Sequence, residues 1–134
     1  MVVERIDATD VLGPSPGYAY AAAATEGVTV YTAGAVPVDP NGKLLGPDDL
    51  KAQTQACIAN LRTVLERAGA APDMVVKTTI FVVGAKQSDL PEVWSEFART
   101  PWAAAPSTLV GVTYLGYSGQ LVEIEAVAVV PSER

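Results

Sequence analysis

The segment LVEIEAVAVV (121–130) is strongly strand-forming and apolar on both of its faces. Strand side chains alternate, so Val122, Ile124, Ala126, Ala128 and Val130 share one face. Leu121, Glu123, Glu125, Val127 and Val129 share the other. MVVKTTIFVVG (74–84) has the same two-faced character. A sheet holding such strands needs cover on both sides, because an exposed face of this kind is a large apolar patch.

The rest of the chain supplies little cover. Only two segments carry helical periodicity. Between about Pro47 and Ala68, the residues Leu50, Thr54, Cys57, Ile58, Leu61, Val64, Leu65 and Ala68 form one stripe. Pro47 suits the first turn, Asp48 and Asp49 favour the positive end of the dipole, and Gly69 supplies the stop. SDLPEVWSEFART (88–100) predicts a second, shorter helix capped by Ser88. The remaining strands are VVERI (2–6), YAYAAAAT (18–25), GVTVYTAG (27–34) and STLVGVTYL (107–115). The second and third of these flank Glu26-Gly27 and are expected to pair as a hairpin.

The order β-ββ-α-β-α-ββ predicts an α+β fold, a six-stranded mixed sheet with two helices on one face, because right-handed crossovers place both there. The uncovered face is then expected to be buried by self-association. With 134 residues the chain suits one core, so a single domain spanning 1–134 is expected.

Composition removes several function classes. Histidine is absent, which excludes a Ser-His-Asp or Cys-His arrangement within the chain and removes the commonest transition-metal ligand. No DxDxDG-type loop is present, and no metal site is expected. Cys57 is the only cysteine and lies in the helical stripe, where a small buried apolar role is expected rather than a reactive thiol. The net charge is −6 and the nine Lys and Arg residues are scattered, which argues against a nucleic-acid surface. No apolar run reaches the roughly 18 residues of a membrane helix. MVVERIDATD has neither the basic start nor the apolar centre of a signal peptide, so a cytoplasmic location is expected.

An ordered set of segments then carries a resemblance: PGYAYAA (16–22), VYTAGAVPVDPNGKLLG (30–46), QTQACIANLRTVLERAGA (53–70), VVKTTIFVV (75–83) and LVEIEAVAV (121–129). The chain resembles the RidA (YjgF) superfamily, the reactive-intermediate imine deaminases, over almost its full length. That resemblance implies a chorismate-mutase-like subunit, a homotrimer with helices outside, and small-molecule clefts between subunits. It implies hydrolysis of 2-imino acids to 2-keto acids and ammonia, with no cofactor. A ribonuclease activity is sometimes attached to the family name, and the acidic charge and missing histidine argue against it here.

The family's site residues map onto this sequence one by one. Tyr18 stands at the tyrosine position of the first segment and Glu123 at the glutamate of the VEIE-like strand, which makes them the implied catalytic pair. Gly34 matches the glycine of an SGQ-like motif that here reads AGA (33–35), and Ala35 follows it. Ser107 occupies the position of the arginine that clamps the substrate carboxylate, and Trp94 that of a common asparagine. Ser107, Gly34, Ala35 and Trp94 are therefore the implied substrate-binding residues, in a family member without its arginine. Two other cations are candidate substitutes: Arg99, whose plainer role is a solvated helix end, and Lys77, whose plainer role is to pair with Glu123 or Glu125 across the sheet. Trp94 has a helix-face core role as its alternative, and both glutamates an ion-paired interface strand.

Overall fold

A computed structural model describes residues 3–133. Six strands and three helices follow in the order β1 (Val3–Ile6), α1 (Thr9–Leu12), β2 (Ala21–Ala24), β3 (Val28–Tyr31), α2 (Leu50–Arg67), β4 (Val75–Val82), α3 (Asp89–Phe97), β5 (Ser107–Gly111) and β6 (Val122–Val130). The mixed α+β class is as expected. The six strands do not form one ladder, however. They divide into a four-stranded mixed sheet, β3-β6-β4-β5, and a two-stranded ribbon, β1-β2.

The difference lies at the expected hairpin around Glu26-Gly27, which does not form: β2 pairs with β1 instead. The favoured two-residue hairpin turns need a positive φ at their first central residue. Here Gly27 has φ 129, while Glu26 is not among the positive-φ residues. The glycine stands one place too late for a tight turn. β2 is also four consecutive alanines, which give a hairpin little side-chain surface to bury.

In the larger sheet, β6 is central and antiparallel to both β3 and β4, while β4 and β5 are parallel. The crossover β3-α2-β4 and the crossover β4-α3-β5 travel in the same direction across the sheet, so one handedness puts both long helices on one face. Against them lie Val122, Ile124, Ala126, Ala128 and Val130 of β6, all buried, with Ile80 and Val82 of β4. Cys57, Leu61 and Leu65 of α2 and Val93 and Phe97 of α3 close this core. Asp49 caps α2, its side chain accepting from Ala52 N at 3.0 Å. Ser88 makes no side-chain cap bond; instead Asp89 accepts from the backbone N–H groups of Ala85 and Lys86.

Among the described residues, no long helix packs on the other sheet face. Register places Glu123 beside Phe81, Glu125 beside Thr79, and Val127 beside Lys77 and Tyr31. Val110 and Thr108 extend this face onto β5. Its β6 residues are half-buried, and Tyr31 is 77% exposed.

Candidate functional site

Five of the six expected site residues fall into two groups on opposite sides of the sheet, while Ala35, paired with Ile124, has its side chain in the buried core. On the helix side, Tyr18, Trp94 and Ser107 line one cavity of about 480 Å³, together with Pro16, Leu90 and Leu109. No charged side chain lines it. Ser107 points this way because its neighbour in the parallel ladder is Thr78, a core-facing residue of β4. The Thr78 hydroxyl donates to Ser107 Oγ at 2.8 Å, which leaves Ser107 its own O–H for a ligand. As the strand at the sheet edge, β5 leaves the cavity open on its outer side.

Aromatic stacking fixes the opposite wall. Tyr18 and Trp94 meet edge to face, with ring centroids 5.9 Å apart, and Trp94 leans on buried Phe97 at 5.8 Å. The indole Nε1 donates to Pro16 O at 3.1 Å, tying the 16–18 segment to α3. Ser15 Oγ donates to Tyr18 O at 2.6 Å and accepts from Gly17 N at 3.2 Å. Trp94 thus packs on Phe97 and also walls the cavity. Among the described residues, no hydrogen bond engages the Tyr18 hydroxyl.

The second group gathers around Glu123, on the other sheet face. Between the pairs Tyr31–Val127 and Ala35–Ile124, the first strand advances four residues while β6 retreats three. One residue is extra, a bulge that carries Ala33-Gly34 over the glutamate. Ala35 N donates to Ile124 O at 2.7 Å and Ile124 N returns the bond to Ala35 O at 3.1 Å. Gly34 lies so close beneath Glu123 that an added Cβ would overlap its carboxylate. Gln120, only 3% exposed, donates from Nε2 to Glu123 Oε1 at 3.2 Å and to Val122 O at 2.9 Å. Its Oε1 accepts from Tyr117 N at 3.1 Å, so the amide is fixed before it meets the glutamate. Buried Gln53 secures the same turn from α2, bonding Gly46 O, Gly119 O and Leu121 N.

Neither substitute cation reaches this carboxylate. Lys77 Nζ donates to Thr108 Oγ1 at 2.6 Å, and Arg99 pairs with Glu96 at 3.5 Å with its side chain 75% exposed. Cys57 fills the buried role expected of it. Its Sγ donates to Val122 O at 3.3 Å, and burial, with the Glu123 charge second, pushes its pKa up to about 12. Gln120 could have been found in the sequence, as the polar residue three places before Glu123 at the strand entry. Pro16, Gln87, Leu90 and Leu109 carry no such signal, because only the fold brings them to Ser107. Among the described residues, no group of three or more His, Cys, Asp or Glu side chains is placed to hold a metal, and no helix is long and apolar enough to cross a membrane.

Comparison with known proteins identifies the architecture. The family model described as Endoribonuclease L-PSP matches residues 12–130. A 2-iminobutanoate/2-iminopropanoate deaminase of Dermatophagoides farinae is 33% identical over 135 residues, covering 97% of this chain and 99% of its own. A RutC family protein of Pyrococcus abyssi is 34% identical over 85 residues, 63% of this chain and 67% of that protein. Among solved structures, the Rid-family protein YyfB of Yersinia pestis superposes with a TM-score of 0.88 at 34% identity, over 97% of this chain and all of the other. With its family model matched from the first helix to the last strand, this chain belongs to the RidA (YjgF) superfamily.

Proposed function

We propose that the chain is a cofactor-independent, deaminase-like hydrolase acting on a small imine, enamine or amide, in clefts between subunits of a cytoplasmic homotrimer. Activity on 2-imino acids is weak or absent. The observation that carries this reading is the cavity of Tyr18, Trp94 and Ser107, whose lining holds no cation. A substrate carboxylate entering it would be desolvated without a partner. Loss of a buried bidentate arginine contact costs about 2–5 kcal/mol. Where this falls on the transition state, kcat/KM drops about 30- to several-thousand-fold. A neutral head group instead meets the Ser107 and Tyr18 hydroxyls and the indole face.

Assembly enters because one subunit cannot complete the site: Glu123 lies across the sheet from this cavity. A second copy, packed on the face of Phe81, Val110, Val127 and Val129, brings a Glu123 to its neighbour's Tyr18 and Ser107. There the carboxylate takes a proton from water as its oxygen adds to the electrophilic carbon, then passes that proton to the nitrogen as the C–N bond breaks and the amine leaves, with Gln120 and Gly34 fixing its position. The deaminase relative at 33% identity supports the reaction class. RNA cleavage is left out of this reading, because the chain has net charge −6 and no histidine.

Titration calorimetry with 2-ketobutyrate and 2-oxobutanamide, alongside a 2-iminobutanoate hydrolysis assay, tests the reading. The neutral amide is expected to bind more tightly, with hydrolysis far below that of an arginine-bearing relative. Tight 2-ketobutyrate binding would refute it. The separation of Glu123 from the cavity also favours a second reading, a non-catalytic trimer that binds a small metabolite. Amide binding that survives Glu123→Gln, with no imine or amide turnover, would select it.

A further inference from the structure

The following rests on the ligand cavity proposed above and concerns where that cavity leads. Gln87 and Leu90, which line it, also wall a second cavity of about 360 Å³. This one runs past Gly84, Ala85 and Gly111, at the carboxyl ends of the parallel strands β4 and β5. The small side chains there leave the groove floor open. Across both cavities one charged side chain lines the wall, Lys86.

The position of Lys86 is set by its surroundings. Asp89 Oδ2 accepts from Ala85 N at 2.8 Å and Lys86 N at 3.1 Å, which pins the 84–86 turn at the start of α3. Both backbone donors reach the same Asp89 oxygen, Oδ2, and the carboxylate forms no ion pair with the lysine among the described residues. Among the described residues the Lys86 ammonium has no partner, so it is available to a ligand. From Ser107 to Gly111 the strand advances four residues, on the order of 13 Å.

We propose that the two cavities form one groove for an elongated ligand with an uncharged reactive head and an anionic tail. The head, a ketone, imine or amide, sits between Trp94 and Ser107. The tail, a terminal carboxylate, reaches the Lys86 ammonium past Leu90. The positive charge missing beside Ser107 is thereby supplied at the far end, and short 2-keto acids, with charge and carbonyl adjacent, cannot use it.

Calorimetry with 8-oxononanoate and its methyl ester tests this on the intact protein. Wild type is expected to bind the acid about three- to fivefold more tightly than the ester at low salt, the size of a solvent-exposed charge contact. The gap is expected to close at 0.5 M salt, where such contacts are screened. Lys86→Met should abolish the preference and Lys86→Arg should keep it. Equal binding of acid and ester by wild type, or a preference that survives Lys86→Met, overturns the proposal. Ser107→Trp, which fills the head cavity, separates the two levels of the argument. If both probes weaken in that variant while acid and ester bind wild type equally, the Lys86 assignment fails and the cavity reading stands. If both bind unchanged in that variant, or neither binds wild type, both fail.

Discussion

Gly34→Ala tests the placement of Glu123 without touching the carboxylate. Gly34 is not among the positive-φ glycines, so alanine brings no backbone strain. By itself the change would stabilise by about 0.4–1 kcal/mol, through the entropy of the unfolded chain. What opposes it is the Glu123 side chain, whose Cγ would stand 2.6 Å from the new Cβ. A side chain can swing away where backbone cannot. Doing so costs about 0.5–1.5 kcal/mol for an off-rotamer position. It also breaks the Gln120 hydrogen bond at 3.2 Å. For a half-buried charged acceptor, that loss is at the low end of the range, about 1.5 kcal/mol. The net expectation is a destabilisation of about 1–2.6 kcal/mol.

A double-mutant cycle isolates the cause. Glu123→Ala removes the obstacle, so Gly34→Ala on that background should be neutral or stabilising by about 0.4–1 kcal/mol. The coupling between the two sites is then about 2–3 kcal/mol. Urea unfolding of the four proteins, at one protomer concentration and with unchanged m-values, measures it. Additive effects, within about 0.5 kcal/mol, would refute the packing of Gly34 under Glu123. If Glu123 is also the proton acceptor, Gly34→Ala should lose turnover about 100-fold or more, far beyond its effect on stability.

Three further outcomes are expected. Cys57, with its pKa pushed up to about 12 by burial, should resist a disulfide reagent at pH 8 in the folded protein and react promptly in urea; rapid labelling of the native protein would contradict its burial. The same shift makes stability full below about pH 8.5, where the unfolded thiol is still protonated, and draws it down between there and pH 12, by at most about 1.4 kcal/mol per pH unit. For the proposed trimer, wild type should give a trimer mass in light scattering and Val129→Lys, on the uncovered sheet face, a monomer mass; a monomeric wild type would refute the assembly, and an unchanged trimer mass would place the interface elsewhere. Ser107→Arg should raise 2-ketobutyrate affinity at least about tenfold over Ser107→Gln, the size of one charge-assisted contact.

How much of this was legible in the sequence depends on the physical range of each signal. The two-faced strand 121–130 was readable because alternation is local, and the fold keeps it as buried Val122, Ile124 and Ala126 beside half-buried Glu123 and Glu125. The helix expected over about 47–68 is observed over Leu50–Arg67: its stripe and glycine stop were readable, but its start was not, since Asp48 has φ 60 and Asp49 is the cap rather than a first-turn residue. The hairpin expectation failed on a single residue, since a glycine second in the turn does not do the work of a glycine first. The candidate site residues could be named from the sequence, but their placement on two faces of the sheet could not. That Ser107 faces the helices follows from its pairing with Thr78, a register that no local pattern announces.

The two glutamates in one row, finally, are not equivalent. Both extend from the sheet face on which, among the described residues, no long helix packs. Glu123 has the fixed amide of Gln120 on one side and, at Gly34, a missing side chain that makes room for it. Glu125 stands beside Thr79, and the nearby Lys77 ammonium is engaged by Thr108 instead. A carboxylate with a prepared donor and a prepared gap fits a position where charge is used. One without them resists burial in a dry interface, because desolvation of an unpaired carboxylate is costly. Packing a second subunit on this face must therefore bring a donor to Glu125 or leave water beside it. The same strand that supplies five residues to the core thus also limits how its own outer face can be covered.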